Sequence, residues 1–299
     1  MVRVLVTGRE GQVAQSLADS TTAHAGIELT FAGRPQLDLL EPETVRASIL
    51  AARPDVVVSA AAYTAVDQAE DEPERAFAIN AAGARAVAQA AAEADAAVIH
   101  LSTDYVFSGD GEGDYAETDA TDPRNVYGLS KLEGEIAVAQ ANPRHVILRT
   151  AWIYSPFGKN FVKTMLALAR ECDRVRVVAD QWGNPTSAAD IAEGVLRIAG
   201  TIAADGKFGQ AGRYGIFHLA GQGAASWADL ARHVFAQSAG LGGPSADVEE
   251  IATADYPTRA RRPRNSRLSC RKLLDVYGWR PPPWQESCSA VVARLVGGS

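Results

Sequence analysis

The chain has 299 residues, 47% of them apolar, and carries 29 Lys and Arg against 36 Asp and Glu for a net charge of −7. That length allows one large domain with a smaller lobe, or two domains of ordinary size. The negative charge argues against a general nucleic-acid binder, and with neither a long apolar run nor an N-terminal signal pattern, a cytoplasmic protein with no membrane segment is expected.

Arg3 to Thr7 reads as a β-branched strand, followed by Gly8-Arg9-Glu10-Gly11-Gln12-Val13-Ala14 and a helix to about Asp19. Gly8 suits a tight turn, Gly11 lets backbone approach a pyrophosphate, and Ala14 takes the place of a third glycine where helix meets strand. Such a string is often a mere turn. Its position at the first strand–helix junction favours a dinucleotide facing the helix N-terminus. A second strand, Ile27 to Ala32, ends in Gly33-Arg34 rather than in the acid that binds the ribose hydroxyl of NAD. Arg34, with Arg9 as a second candidate, would pair with the 2′-phosphate of NADP, so NADPH is the expected cofactor and NADH a possible one. Otherwise both arginines are simply solvated.

Asp38 and Leu39 are placed at the edge of the adenine, before a helix from about Glu43 to Ala52. A third strand, Asp55 to Ser59, runs into Ala60-Ala61-Ala62-Tyr63-Thr64, whose small side chains would let a flat cofactor lie against backbone, although small residues at a crossing look similar. The following helix, about Pro73 to Ala94, carries Asn80 on an apolar segment, where a buried amide needs partners. It is assigned to support the active-site strand.

Ala97 to Leu101 reads as a buried strand that delivers Ser102 and Thr103 at its carboxyl end, where open α/β sheets bind ligands. A glycine-rich loop, Ser108 to Pro123, follows. The helix Asn125 to Gln140 carries Tyr127 and Lys131 four residues apart on one face. A free phenol titrates near 10, and a neighbouring ammonium stabilises its anion. With Thr103 bonding a carbonyl oxygen and Tyr127 protonating it, the set suits hydride reduction of a ketone. By itself a Tyr and a Lys at this spacing is commonly just an exposed pair. The order of fingerprint, strand-end threonine and pair favours chemistry.

A fifth strand, Val146 to Thr150, leads to Trp152-Ile153-Tyr154 and a helix opened by Gly158-Lys159-Asn160-Phe161. Beyond it the alternation weakens, with a strand near Val175 to Val178, a helix near Ala189 to Ile198 and a strand from Tyr214 to Ala220. The expected fold is α/β, a Rossmann-type doubly wound parallel sheet with a smaller C-terminal substrate lobe. Residues 1–151 form the dinucleotide-binding domain, with segments around 175–200 and 214–240 returning to it, and 152–299 form mainly the lobe. Arg259, Arg261, Arg262, Arg264 and Arg267 read equally as a solvated face or as a diphosphate site. Cys172, Cys270 and Cys288 lack disulfide or zinc spacing and are assigned to packing, and His100 to a hydrogen-bonded core position; no metal site is read.

TGREGQVA, SAAAYTAVDQAEDEPERAFAINA, STDYVF, ETDATDPRNVYGLSKLEGE, RTAWIY, GKNFVKTML, DQWGNPTSAADIA and ARRPRNSRL together resemble the extended short-chain dehydrogenase/reductases over nearly the whole chain. The resemblance implies NAD(P)H-dependent reduction of the C4 ketone of dTDP-4-dehydro-L-rhamnose to dTDP-L-rhamnose, with a nucleotide sugar as partner. Thr103, Tyr127 and Lys131 match catalytic positions. Gly11, Gln12, Val13, Ala62, Tyr63 and Thr64 match cofactor contacts, joined by Gly8, Arg34, Asp38, Leu39, Tyr127 and Lys131. Asp104, Tyr105 and Trp152 match positions near the sugar, and Asn160, Arg259 and Arg262 complete the expected substrate set. Related 4,6-dehydratases follow the threonine with two carboxylic acids; here Asp104 is followed by Tyr105, so elimination lacks a proton-transfer group. Some members are magnesium-bridged dimers with an acid in the first helix, where this chain has Gln15, a weaker ligand for a hard cation. Magnesium is therefore uncertain and a monomer or weak homodimer is expected. Two other readings stay open, a reductase of another nucleotide-linked 4-ketosugar and a non-catalytic NADP-binding regulatory subunit.

Overall fold

The computed structural model describes residues 1–20, 24, 26–205 and 212–298. Residues 206–211 and 299 of the expected C-terminal lobe lie outside these. The expected alternation forms as β1 (Val2–Thr7), α1 (Gln12–Asp19), β2 (Ile27–Ala32), α2 (Pro42–Ala52), β3 (Val56–Ser59), β4 (Ala97–Thr103) and β5 (His145–Thr150). The sixth strand, Gly215–His218, pairs with β5, and the sheet order from that edge is Gly215–His218, β5, β4, β3, β1, β2. Every pairing in it is parallel.

Strand periodicity divides the core. Val4 and Val6 of β1 point to one face with Val13 and Leu17 of α1 and Ile191, Val195 and Ile198 of the helix Ala188–Ala204. Leu5 points to the other, with Val45 and Ile49 of α2 and Val87 of the helix Ala84–Glu93. Both faces are covered, as a parallel sheet requires. Because β1 lies between β2 and β3, the strand order reverses at β1 and β3, which opens a crevice at their carboxyl ends.

The segments expected to return to the sheet divide. Gly215–His218 and the helix Ala188–Ala204 do return. Arg174–Val178 pairs instead with Asp247–Ile251 in a separate parallel pair, and Trp227–Gly240 buries Leu230, Val234 and Phe235 in the lobe core with Met165, Trp284 and Cys288. A short valine run can serve any sheet, and long-range partners decide which one it joins. Cys172 is exposed, not a packing residue. Among the described residues, no helix is long and apolar enough to cross a membrane.

Candidate active site

The crevice is built where β1 and β3 end. Gly8 takes φ +90°, a left-handed conformation that only glycine adopts without strain. Thr7 Oγ1 accepts the N–H groups of Ala60 and Ala61 at 3.0 and 3.1 Å, tying the two strand ends together. A Cβ at Gly11 would meet nothing within 4 Å. The approach to the first turn of α1, whose leading N–H groups lack intrahelical acceptors, is therefore open, and it fits a pyrophosphate. Val13 is buried in the core, so only its backbone faces that approach.

Arg9 folds over the end of β2, donating Nε to Phe31 O at 3.3 Å, and Arg34 is exposed beside it. Asp38 Oδ1 accepts the Leu40 N–H at 3.0 Å, while Leu39 is buried against Gly83, where a Cβ would stand 2.8 Å from its own. Leu39 is thus a packing residue rather than an open adenine edge. Gln15, in the expected magnesium position, donates its amide to Glu10 O at 2.5 Å.

Asn80 holds the loop after β3. It lies in a π-helical turn, Ala78–Gly83, between the helices Pro73–Phe77 and Ala84–Glu93, a distortion frequent at functional sites. Its Oδ1 accepts Tyr63 N–H at 2.8 Å, and its Nδ2 donates to Tyr63 O and to Ser130 Oγ, both at 3.0 Å. Ser130 Oγ donates in turn to Tyr127 O at 2.8 Å. One buried amide therefore joins the Ala62-Tyr63-Thr64 loop to the helix that bears Tyr127.

That helix, Val126–Ala141, is capped by Asn125, whose Oδ1 accepts Gly128 N–H at 2.7 Å. A Cβ at Gly128 would sit 2.2 Å from Tyr105 O, and one at Gly134 2.2 Å from Asn80 O. These two glycines thus bring the helix into backbone contact with the turn after β4 and with the π turn. Tyr127 stands beside Thr103. Burial pushes the phenol well above its ordinary value, with the Thr103 hydroxyl opposing.

Lys131 is buried, and its Nζ donates to Leu101 O at 2.6 Å and to His100 Nε2 at 3.3 Å. Burial lowers the ammonium to about 8. These bonds hold the ammonium against β4, one helical turn after Tyr127. His100 completes the chain with Nδ1 against Ser59 Oγ at 3.1 Å, and burial, then Lys131, holds its imidazole neutral. One turn further, Glu135 accepts Arg149 Nε and Nη2 at 2.9 and 2.7 Å and Ser102 Oγ at 2.5 Å. This buried cluster locks the Tyr127 helix to β4 and β5.

Asp104 follows Thr103 in a short 3₁₀ turn, Asp104–Val106, and accepts the Thr103 hydroxyl at 2.9 Å. Tyr105 meets the Tyr127 ring edge-on, 5.6 Å between centroids, and Arg262 lies over Tyr105 while donating to Asp67 Oδ2 at 2.5 Å. Trp152, at φ +48°, stacks on Trp227 of the lobe with centroids 3.5 Å apart. Two expected substrate residues have partners within the protein. Asn160 caps the helix Phe161–Leu168, accepting Lys163 N–H at 3.1 Å, and donates to Ser155 O, Phe157 O and Gln12 Oε1. Arg259 is exposed and paired with Asp71. Ser266, which acts on Asp104 from the C-terminal segment, carries no sequence signal.

A doubly wound dinucleotide crevice, with a strand-end threonine beside a helix tyrosine at its mouth, defines a nicotinamide-dependent oxidoreductase of the extended short-chain type. Within that class the chain belongs to the family described as RmlD substrate binding domain, which matches residues 2–296. It is 51% identical over 295 residues to a dTDP-4-dehydrorhamnose reductase of Sinorhizobium fredii, covering 99% of this chain and 98% of the relative. The dTDP-4-dehydrorhamnose reductase structure from Clostridium acetobutylicum superposes with a TM-score of 0.88 at 35% identity, covering 98% of this chain and 99% of that one. The corresponding Bacillus anthracis reductase, solved in complex with NADP, also gives 0.88 at 33% identity, with coverages of 97% and 98%.

Proposed function

We propose that this protein reduces the C4 ketone of dTDP-4-dehydro-L-rhamnose to give dTDP-L-rhamnose, with NADPH bound between the first turn of α1 and the Ala62-Tyr63-Thr64 loop. Bound there, NADPH supplies the hydride. The observation that carries the reading is the Thr103–Tyr127 pair at the end of β4, beside an open pyrophosphate approach, in a chain half identical to a reductase of that name. Tyr127 holds the proton that completes the alcohol. Its burial keeps the phenol protonated until charge develops on the sugar oxygen, so the proton moves only when it is needed. Arg262, half-buried over Tyr105, is the arginine best placed for the diphosphate, with Asp67 as its partner in the free enzyme.

The test is to incubate the protein with enzymatically generated dTDP-4-dehydrorhamnose and NADPH, follow loss of reduced-nicotinamide absorbance and identify the sugar. Tyr127→Phe should lower kcat by about 10²–10⁴-fold with NADPH affinity kept; near-normal turnover would remove Tyr127 as the acid. Arg9 and Arg34, at the end of β2, favour NADPH over NADH. Arg34→Ala should narrow that preference in kcat/KM, and unchanged discrimination would exclude Arg34. Gln15 supports a monomer or weak homodimer without bridging magnesium; light scattering with and without the ion checks this, and a magnesium-dependent dimer would refute it.

A further inference from the structure

His100 lies in the middle of β4, 1% exposed, and the ketone reduction proposed above gives it no part. Both of its ring nitrogens are nonetheless engaged. Nε2 stands 3.3 Å from Lys131 Nζ, and Nδ1 stands 3.1 Å from Ser59 Oγ at the end of β3. The ring lies against the Tyr127 helix where that helix is bare, since a Cβ at Gly134 would come to 3.7 Å of Nε2.

The chemistry of the two partners fixes which nitrogen carries the proton. An ammonium donates and never accepts, so beside a charged Lys131 the Nε2 must be an acceptor, and the ring proton sits on Nδ1, donated to Ser59 Oγ. Of the three ammonium N–H bonds, Leu101 O takes one at 2.6 Å and His100 takes a second, both from β4. One donor is left, and its direction is set.

We propose that His100 is a positioning residue for Lys131: locked by Ser59 as the Nδ1–H tautomer, it accepts one ammonium proton and so keeps the amine charged, with its last donor left for the ketone-reducing site. This role rests on the reduction proposed above and adds a residue to it. Lys131 is 2% exposed, and burial of an ammonium favours the neutral amine unless acceptors surround it. The charged and titratable groups around it are Glu135 and Tyr127 on its own helix, His100 on β4 and Arg149 on β5. Glu135 is already taken by Arg149 Nε and Nη2 and by Ser102 Oγ. The hydrogen bonds to the amine therefore come from His100 and Leu101.

The experiment measures kcat and KM against pH, with NADPH and the dTDP-4-keto sugar, for wild type, His100→Leu and His100→Gln, and the imidazole nitrogens of wild type by ¹⁵N NMR. Removing an acceptor of the charged amine lets it lose its proton at lower pH. In His100→Leu, which fills the space without an acceptor, the alkaline fall of kcat should move about one unit down, a loss of about tenfold at pH 8, with KM little changed. His100→Gln, whose amide oxygen can accept, should restore the wild-type limb. NMR should show the proton on Nδ1. NADPH binding reports folding; should His100→Leu fail it, Ser59→Ala, which frees the tautomer, must move the limb the same way. An active His100→Leu with an unmoved limb, or a wild-type ring protonated on Nε2, overturns the role of His100 and leaves the reduction standing. A wild type that binds NADPH yet forms no alcohol overturns the reduction, and this role with it.

Discussion

Burial lifts the Asp104 carboxyl from 3.8 to about 6, and this carries a stability consequence of definite sign. Because the folded value lies above the unfolded one, the unfolded chain releases its proton first. Folding is therefore penalised fully above about pH 6, and stability returns as pH falls toward 4. At 1.36 kcal/mol per unit, the penalty is about 3 kcal/mol at pH 8. Asp104→Asn should accordingly be more stable than wild type at pH 8, with the gain shrinking toward pH 4. Denaturant unfolding at the two pH values measures this; a variant less stable than wild type at pH 8 would contradict it.

At the scale of the element, the Tyr127 helix is placed by what it lacks. Gly128 and Gly134 let it rest on Tyr105 O and Asn80 O, where any Cβ would intrude to 2.2 Å of a carbonyl oxygen. The Glu135–Arg149 pair, 3% exposed on each side chain, then holds it against β5. Gly128→Ala should displace the start of the helix and Tyr127 with it, lowering kcat by about 10²-fold, since misplacement by an ångström is enough for that. NADPH affinity should change far less. A variant with wild-type kcat would show that the close approach does not set the phenol.

Across the whole molecule, the lobe is fastened to the nucleotide-binding sheet at the cofactor crevice itself. Gln12 Oε1, at the first turn of α1, accepts Ser155 Oγ at 2.8 Å and Asn160 Nδ2 at 3.0 Å. One amide thus joins the first turn of α1 to the segment that carries Ser155 and Asn160. Gln12→Ala removes both bonds and should lower stability by about 1–2 kcal/mol. Backbone hydrogen exchange should quicken over residues 153–168 and stay unchanged in β1 and β4; uniform acceleration would mean that the clamp is not local.

Much of the site was legible in the chain alone. The Gly8-to-Ala14 turn, Thr103 at a strand end and Tyr127 and Lys131 on one helix face all follow from local periodicity and glycine conformation, and the structure brings Thr103 and Tyr127 together as that order implies. The sequence likewise determined the parallel alternating sheet, because buried β-branched runs separated by amphipathic helices have few other ways to bury both faces. What only tertiary structure decided are the partnerships between distant segments. Asn160 meets Gln12, Arg259 pairs with Asp71 while Arg262 reaches Tyr105, Lys131 bonds to Leu101 and His100, and the valine strand Arg174–Val178 joins Asp247–Ile251. A side chain's type limits the bonds it can make, but which bond forms depends on distances set by the packing of elements far apart in the chain.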